Sequence, residues 1–287
     1  MNDRTDKLTA LVLAGGGSFG AVQVGMLRAL VAHGLVPDLV IGSSVGAING
    51  AYFAGAPNAD GIGQLETIWG GLRRNTVFPF AWRGILGLLG ESGFAVDPSG
   101  LRSLLEQCLP YQTFEQANIP LHVVATDLLG GGTVRLSSGP VVDAVLASCA
   151  IPAVFPPVRI GEQYLIDGAI ASNTPISVAI ELGATRIIVL PTGFACALES
   201  PPRSTIASAL HAVTLLIAHQ LVMELERYRE LAEIITVPPL CPLTASPYDF
   251  SHAGELIERA ADQTSRWLAR DGLKRQRIPQ ALDAHIH

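Results

Sequence analysis

Two short apolar runs near the start of the chain each end in a glycine turn, and this pair limits the fold more than any other feature. Leu11-Val12-Leu13 leads into Gly15-Gly16-Gly17-Ser18-Phe19-Gly20, and Leu39-Val40-Ile41 leads into Gly42-Ser43-Ser44-Val45-Gly46. A short apolar run bounded by turn residues reads as a strand buried on both faces. A glycine turn followed by a helical pattern then reads as the sharp reversal of a βα unit. Further strand patterns lie at 120–126, 133–136, 163–166, 186–190 and 232–237, after the first two at 9–14 and 38–42. Helical patterns lie at 18–33, 44–55, 61–72, 98–108, 140–149, 174–182, 204–230 and 253–271. This alternation predicts an α/β fold with a central, mostly parallel sheet sandwiched between helices.

Composition agrees with such a sheet and narrows the partners. Of 287 residues 49% are hydrophobic and only 15% charged, which suits strands covered on both faces and also suits work against lipid. A net charge of −6 argues against nucleic acid and against electrostatic attraction to anionic membranes, so any membrane contact would be mainly apolar. Cys108, Cys149, Cys196 and Cys241 show no CxxC pairing and read as buried thiols of a reducing compartment. The polar segment Met1 to Lys7 does not read as a secretory signal. A cytoplasmic protein, peripheral at most to a membrane, is expected. Stretches 8–27, 39–59 and 204–223 lack charge. The first two hold the glycine turns. In the third, Leu210, Val213, Leu216, Ile217, Leu221 and Leu225 mark the stripe of a packing helix rather than a membrane span.

The turns carry chemistry as well as topology. In G-x-S-x-G, Gly42 and Gly46 relieve crowding around a tight strand-to-helix turn that exposes Ser44. Gly15, Gly16 and Gly17, with Gly20, let backbone N–H groups approach a developing oxyanion with no side chain in the way. A serine hydroxyl needs a base, and Ile166-Asp167-Gly168-Ala169 supplies a carboxylate among apolar and small neighbours. Each motif alone is weak evidence. Gly15-x-Gly17-x-x-Gly20 also matches a dinucleotide-binding fingerprint, but that site wants an acid at the end of the second strand. Here the second strand ends in Gly42-Ser43-Ser44, and Asp38 lies before it.

The order GGGxxG, GxSxG, DGA resembles the patatin-like phospholipase family. The likeness extends to residues 11–30, to Ala125-Thr126-Asp127-Leu128, to Ala147-Ser148-Cys149-Ala150-Ile151-Pro152 through Phe155-Pro156-Pro157, and to Asn173-Thr174-Pro175. It covers residues 10–190 well and reaches more weakly to 260. The resemblance implies a catalytic domain at 9–190 with a C-terminal helical extension at 191–287 packed on it. It implies a lipid acyl hydrolase with a Ser44–Asp167 dyad, an acyl-enzyme, and no metal or organic cofactor. The oxyanion would rest on main-chain N–H groups of the loop 15–17 and of Val45, with Gly168 and Ala169 completing the DGA motif. The family commonly carries a basic residue where this chain has Phe19.

Two other readings compete. A Ser–His–Asp triad on the α/β-hydrolase fold would use Ser44, Asp167 and His252, but that fold places its elbow deeper in the sheet than the second strand. A non-catalytic scaffold would keep the fold and only bind a lipid or carboxylate. Phe78, Trp82, Ile85 and Leu89 recur at helical spacing among Gly84, Gly87 and Gly90, which suggests either a core helix or a lid at 76–90.

Overall fold

In the computed structural model, residues 7–73, 96–152, 154–193, 205–243, 249–276 and 278–282 are described. The segment expected to be a lid or core helix at 76–90, and Cys196, lie outside them. Among the described residues eight strands form one sheet: β1 (Thr9–Leu13), β2 (Leu39–Ser43), β3 (Leu121–Asp127), β4 (Thr133–Leu136), β5 (Val158–Ile160), β6 (Gln163–Asp167), β7 (Arg186–Leu190) and β8 (Glu233–Thr236). Hydrogen-bonded neighbours follow the order β5-β6-β3-β2-β1-β7-β8, with β4 also paired to β3; β2 and β6 lie one after the other along one edge of β3 and β4 along the other edge. The five strands from β3 to β8 along this order run parallel, β4 and β6 pair antiparallel to β3, and β5 pairs antiparallel to β6. Seven strands lie within a residue or two of their expected positions; β5, three residues long and half-buried, carries too little pattern to be read.

Alternation along the parallel strands feeds two apolar layers. Leu11, Leu13, Val40, Leu121, Val123, Ile188 and Leu190 face one layer. It is built from α1 (Gly20–Ala32), α2 (Val45–Gly55), α3 (Ala59–Gly71), α4 (Ser99–Cys108), α5 (Val141–Ser148) and α9 (Ala253–Leu268). The other α-helices among the described residues are α6 (Ala169–Ser172), α7 (Ile176–Glu181) and α8 (Thr205–Tyr228). Ala10, Val12, Leu39, Ile41, Val124, Ile187, Val189 and Ile234 face the other layer, beneath α7 and α8. Among the described stripe residues of α8, Leu221 and Leu225 are buried as predicted, whereas Val213 and Leu216 are exposed. Among the described residues no helix is long and apolar enough to cross a membrane.

Helix α1 is buried on nearly every side because α9 lies directly against it. Gly25 makes that approach feasible, since a side chain there would run into the backbone of Ile257 and Ala261. At the solvent edge of the same contact, Arg28 donates bidentately to Glu258 (2.9 and 2.7 Å) and to Glu66 of α3 (3.0 Å). Residues beyond 190 therefore contribute an edge strand and a core helix to the same layers.

Candidate active site

Ser44 follows the last residue of β2 and caps the N-terminus of α2, with φ 53° and ψ −126°. This is a strained conformation for any residue with a side chain, one that costs on the order of 1–3 kcal/mol. The elbow glycines allow it through close packing. A Cβ on Gly42 would strike the carbonyl of Gly46, and one on Gly46 would strike the carbonyl of Leu13 on the neighbouring strand. The side chains of Ser43 and Ser44 meet different neighbours. Ser43 Oγ is buried against Gly168, without a hydrogen-bond partner among the described residues.

Strand register brings Asp167 to Ser44. On β3, β4 pairs with residues 123–126, so β2 and β6, which both overlap that stretch, must share the opposite edge. There β2 ends with Ser43 opposite Val124, and β6 takes over at once with Asp167 opposite Ala125. The Ser44 hydroxyl donates to Asp167 Oδ2 at 2.8 Å, and the Ala169 N–H donates to Oδ1 at 2.8 Å. Asp167 is 3% exposed, and burial pushes its carboxyl up to about 6 although both hydrogen bonds favour the ionised form. The buried Cys149 thiol nearby is held well above its ordinary range, by burial and then by the charge of Asp167.

The glycine loop lies beside this pair. Gly15 N–H already donates to the carbonyl of Asn173 (3.1 Å), which narrows the expected set of donors. The N–H groups of Gly16, Gly17 and Val45 have no acceptor among the described residues. Gly17 has φ 61° and lines the same slot as Ser44 and Val45. What Gly15 offers is space, because a Cβ there would lie 3.1 Å from that of Ser44 and 2.5 Å from Asn173 Oδ1. Phe19 is buried in the core, so its position presents no cation to the site.

From Ser44 a narrow slot of about 80 Å³ runs between α2, α3 and α4. Ile48, Tyr52, Leu65, Ile68, Trp69, Leu101, Leu104, Leu105, Ile151, Phe155 and Phe250 wall it almost entirely with carbon. Phe250 stacks on Trp69, ring centroids 6.1 Å apart. Residue 252 is elsewhere in chemical terms: His252 is half-exposed, 3.7 Å from both Asp249 and Glu255, and no imidazole intervenes between Ser44 and Asp167. Among the described residues no cluster of three or more His, Cys, Asp or Glu could hold a metal ion.

Sequence reasoning missed the polar scaffold behind the site. Gln23 Nε2 donates to the carbonyls of Ala14 (2.8 Å) and Leu190 (2.9 Å), joining the ends of β1 and β7 under the glycine loop. Asn49 Nδ2 donates to Gly20 O and Gln23 Oε1, both at 2.9 Å, and its Oδ1 accepts from Trp69 Nε1 at 2.9 Å. This fully paired network ties the loop, the elbow helix and the slot wall together in a low-dielectric interior. Its signal was present: one amide side chain inside an apolar stretch of each of two helices, Ala21-Val22-Gln23-Val24 and Ile48-Asn49-Gly50-Ala51. Ser148 and Thr126 were also missed as contacts of the pair. Ser44 N–H donates to Ser148 Oγ (2.8 Å), and Thr126 Oγ1 donates to Asp167 O (2.8 Å).

Comparison with known proteins is consistent with this geometry. The family model described as patatin-like phospholipase matches residues 11–180. The chain belongs to that family. Patatin-like phospholipase domain-containing protein 7 of Rattus norvegicus is 29% identical over 191 residues, covering 66% of this chain and 14% of that protein. An uncharacterized NTE family protein of Mycobacterium tuberculosis is 32% identical over 171 residues, covering 58% and 44%. The chain thus spans only a small part of the first of these patatin-like relatives and under half of the second. Human GIVD cytosolic phospholipase A2 shares the fold, with a TM-score of 0.52 at 13% identity over 99% of this chain and 61% of that one.

Proposed function

We propose that the protein is a lipid acyl hydrolase that cleaves carboxylic esters through Ser44 and Asp167. One observation carries this reading: a direct 2.8 Å hydrogen bond between a strained serine and a buried carboxylate, at the head of an apolar slot. Ser44 Oγ attacks the ester carbonyl while its proton passes to Asp167 Oδ2. The N–H groups of Gly16, Gly17 and Val45 stabilise the oxyanion, and preorganised donors of this type are worth about 3–4 kcal/mol each at the transition state. Asp167 then protonates the leaving alkoxide, and water activated by the same carboxylate releases the acid from the acyl-enzyme. The apolar slot holds the acyl chain. Membership in the patatin-like phospholipase family supports lipid as the substrate class, with a transient membrane contact for substrate that is not dispersed.

A fluorophosphonate probe tests the reading, because an activated serine reacts with it and an inert one does not. We expect a single adduct on Ser44, absent in Ser44→Ala. Absence of labelling together with absence of ester hydrolysis would leave a lipid-binding scaffold instead. The assignment of the slot is tested separately. Leu104 is partly buried on α4 and lines the slot, so Leu104→Trp can fill it without rebuilding the core. Activity on a twelve-carbon p-nitrophenyl ester should fall relative to the acetate ester by about tenfold or more, the discrimination that a few methylenes of lost contact supply. An unchanged ratio would place the acyl chain elsewhere.

A further inference from the structure

We infer that Ser148 is a positioning residue for both halves of the dyad, an inference that rests on the proposed roles of Ser44 and Asp167. Ser148 is the last residue of α5 and is fully buried. A serine near a helix end usually returns its hydroxyl to a carbonyl of its own helix. Here the hydroxyl reaches across to the sheet and donates to the carbonyl of Val124 at 2.6 Å. Val124 is the β3 residue at which pairing passes from β2 to β6. A hydroxyl has one proton. With that proton on Val124, the oxygen can only accept from the Ser44 N–H, which it does at 2.8 Å.

The main chain at the same place holds the other partner. Gly168 N–H donates to the carbonyl of Ser148 (3.1 Å), and Asp167 N–H donates to that of Ala150 (3.0 Å). The end of α5 is therefore a bracket. One side fixes the N–H of a nucleophile at φ 53°, and the other fixes the backbone that aims the base. The side chain of Ser148 is the only part of this bracket that a substitution can remove while leaving the main-chain bonds in place. Without it, the Ser44 N–H and the Val124 carbonyl lose a partner in a buried site, and the elbow can relax from its strained setting.

The test compares Ser148→Ala with Val145→Ala, a core truncation in the same helix that keeps the hydroxyl. Both are measured well below their melting temperatures on a soluble p-nitrophenyl ester. Ser148→Ala should lower kcat by about 10²-fold, the cost of misplacing a reacting group by roughly an ångström, with little change in KM. The rate of fluorophosphonate labelling at Ser44 should fall in parallel, and Val145→Ala should alter neither by more than about twofold. Ser148→Cys is nearly isosteric but accepts hydrogen bonds weakly, so it should also lose about tenfold or more, even if the alanine variant does not fold. Retained kcat and labelling in both Ser148 variants would overturn the inference, as would equal loss in Val145→Ala. Ser44→Ala is run alongside. If it abolishes turnover while the Ser148 variants do not, only the positioning role falls; if it keeps turnover, the proposed mechanism falls with it.

Discussion

Ser44→Ala should lower turnover of p-nitrophenyl butyrate by on the order of 10⁴–10⁶-fold, the loss found when a serine hydrolase is stripped of its nucleophile. The neighbouring Ser43→Ala should keep most of the activity. The two hydroxyls are adjacent in sequence but meet different neighbours. Ser44 Oγ meets Asp167 at the head of the apolar slot, whereas Ser43 Oγ is buried against Gly168 with no hydrogen-bond partner among the described residues. Removing an unpaired buried hydroxyl does not harm stability, so Ser43→Ala should also melt no lower than wild type. Equal loss from the two substitutions, or a probe adduct mapped to Ser43, would refute the assignment of the nucleophile.

Asp167→Asn should lower turnover by about 10²–10⁴-fold, the range for loss of a general base. By the same measure His252→Ala should cost less than about tenfold, since His252 lies half-exposed between Asp249 and Glu255. If His252→Ala were as damaging without unfolding the protein, a triad would replace the dyad. The pH profile follows from the same carboxylate. Only ionised Asp167 can take the proton, so kcat/KM should rise with pH up to about 6 and then level off. Stability moves the other way. Burial lifts the folded pKa from 3.8 to about 6, so the folded state holds the proton more tightly than the unfolded state does between those values. Stability contributed by this group is present below pH 3.8 and is lost as pH rises through about 6, a change on the order of a few kcal/mol. A carboxamide in its place is never ionised, so the Asp167→Asn protein should match or exceed wild type in melting temperature at pH 8 and lose that advantage near pH 4. A lower melting temperature at pH 8 would show that the carboxylate is held by more than the two hydrogen bonds it accepts.

Much of this protein was legible before any tertiary structure. Short apolar runs located the five parallel strands, because a strand buried on both faces leaves its mark residue by residue. The elbow and the DGA turn were readable for a similar reason. Gly42, Gly46 and Gly168 each sit where a side chain would strike backbone, and such close approaches demand glycine from the sequence. What the sequence by itself determined is therefore the local part: the strands, the turns and the identity of Ser44 and Asp167 as a candidate pair. Tertiary structure alone decided that they meet, through a handover from β2 to β6 on one edge of β3 that no local pattern encodes. It also withdrew the Gly15 N–H from the donor set by giving it to Asn173, and closed the slot with Trp69 and Phe250 from distant segments. Gln23, Asn49 and Ser148 have the composition of ordinary helix residues, and their partners lie 9 to 167 residues away along the chain. A buried polar side chain takes its meaning from the partner that satisfies it, and that partner exists only once the chain has folded.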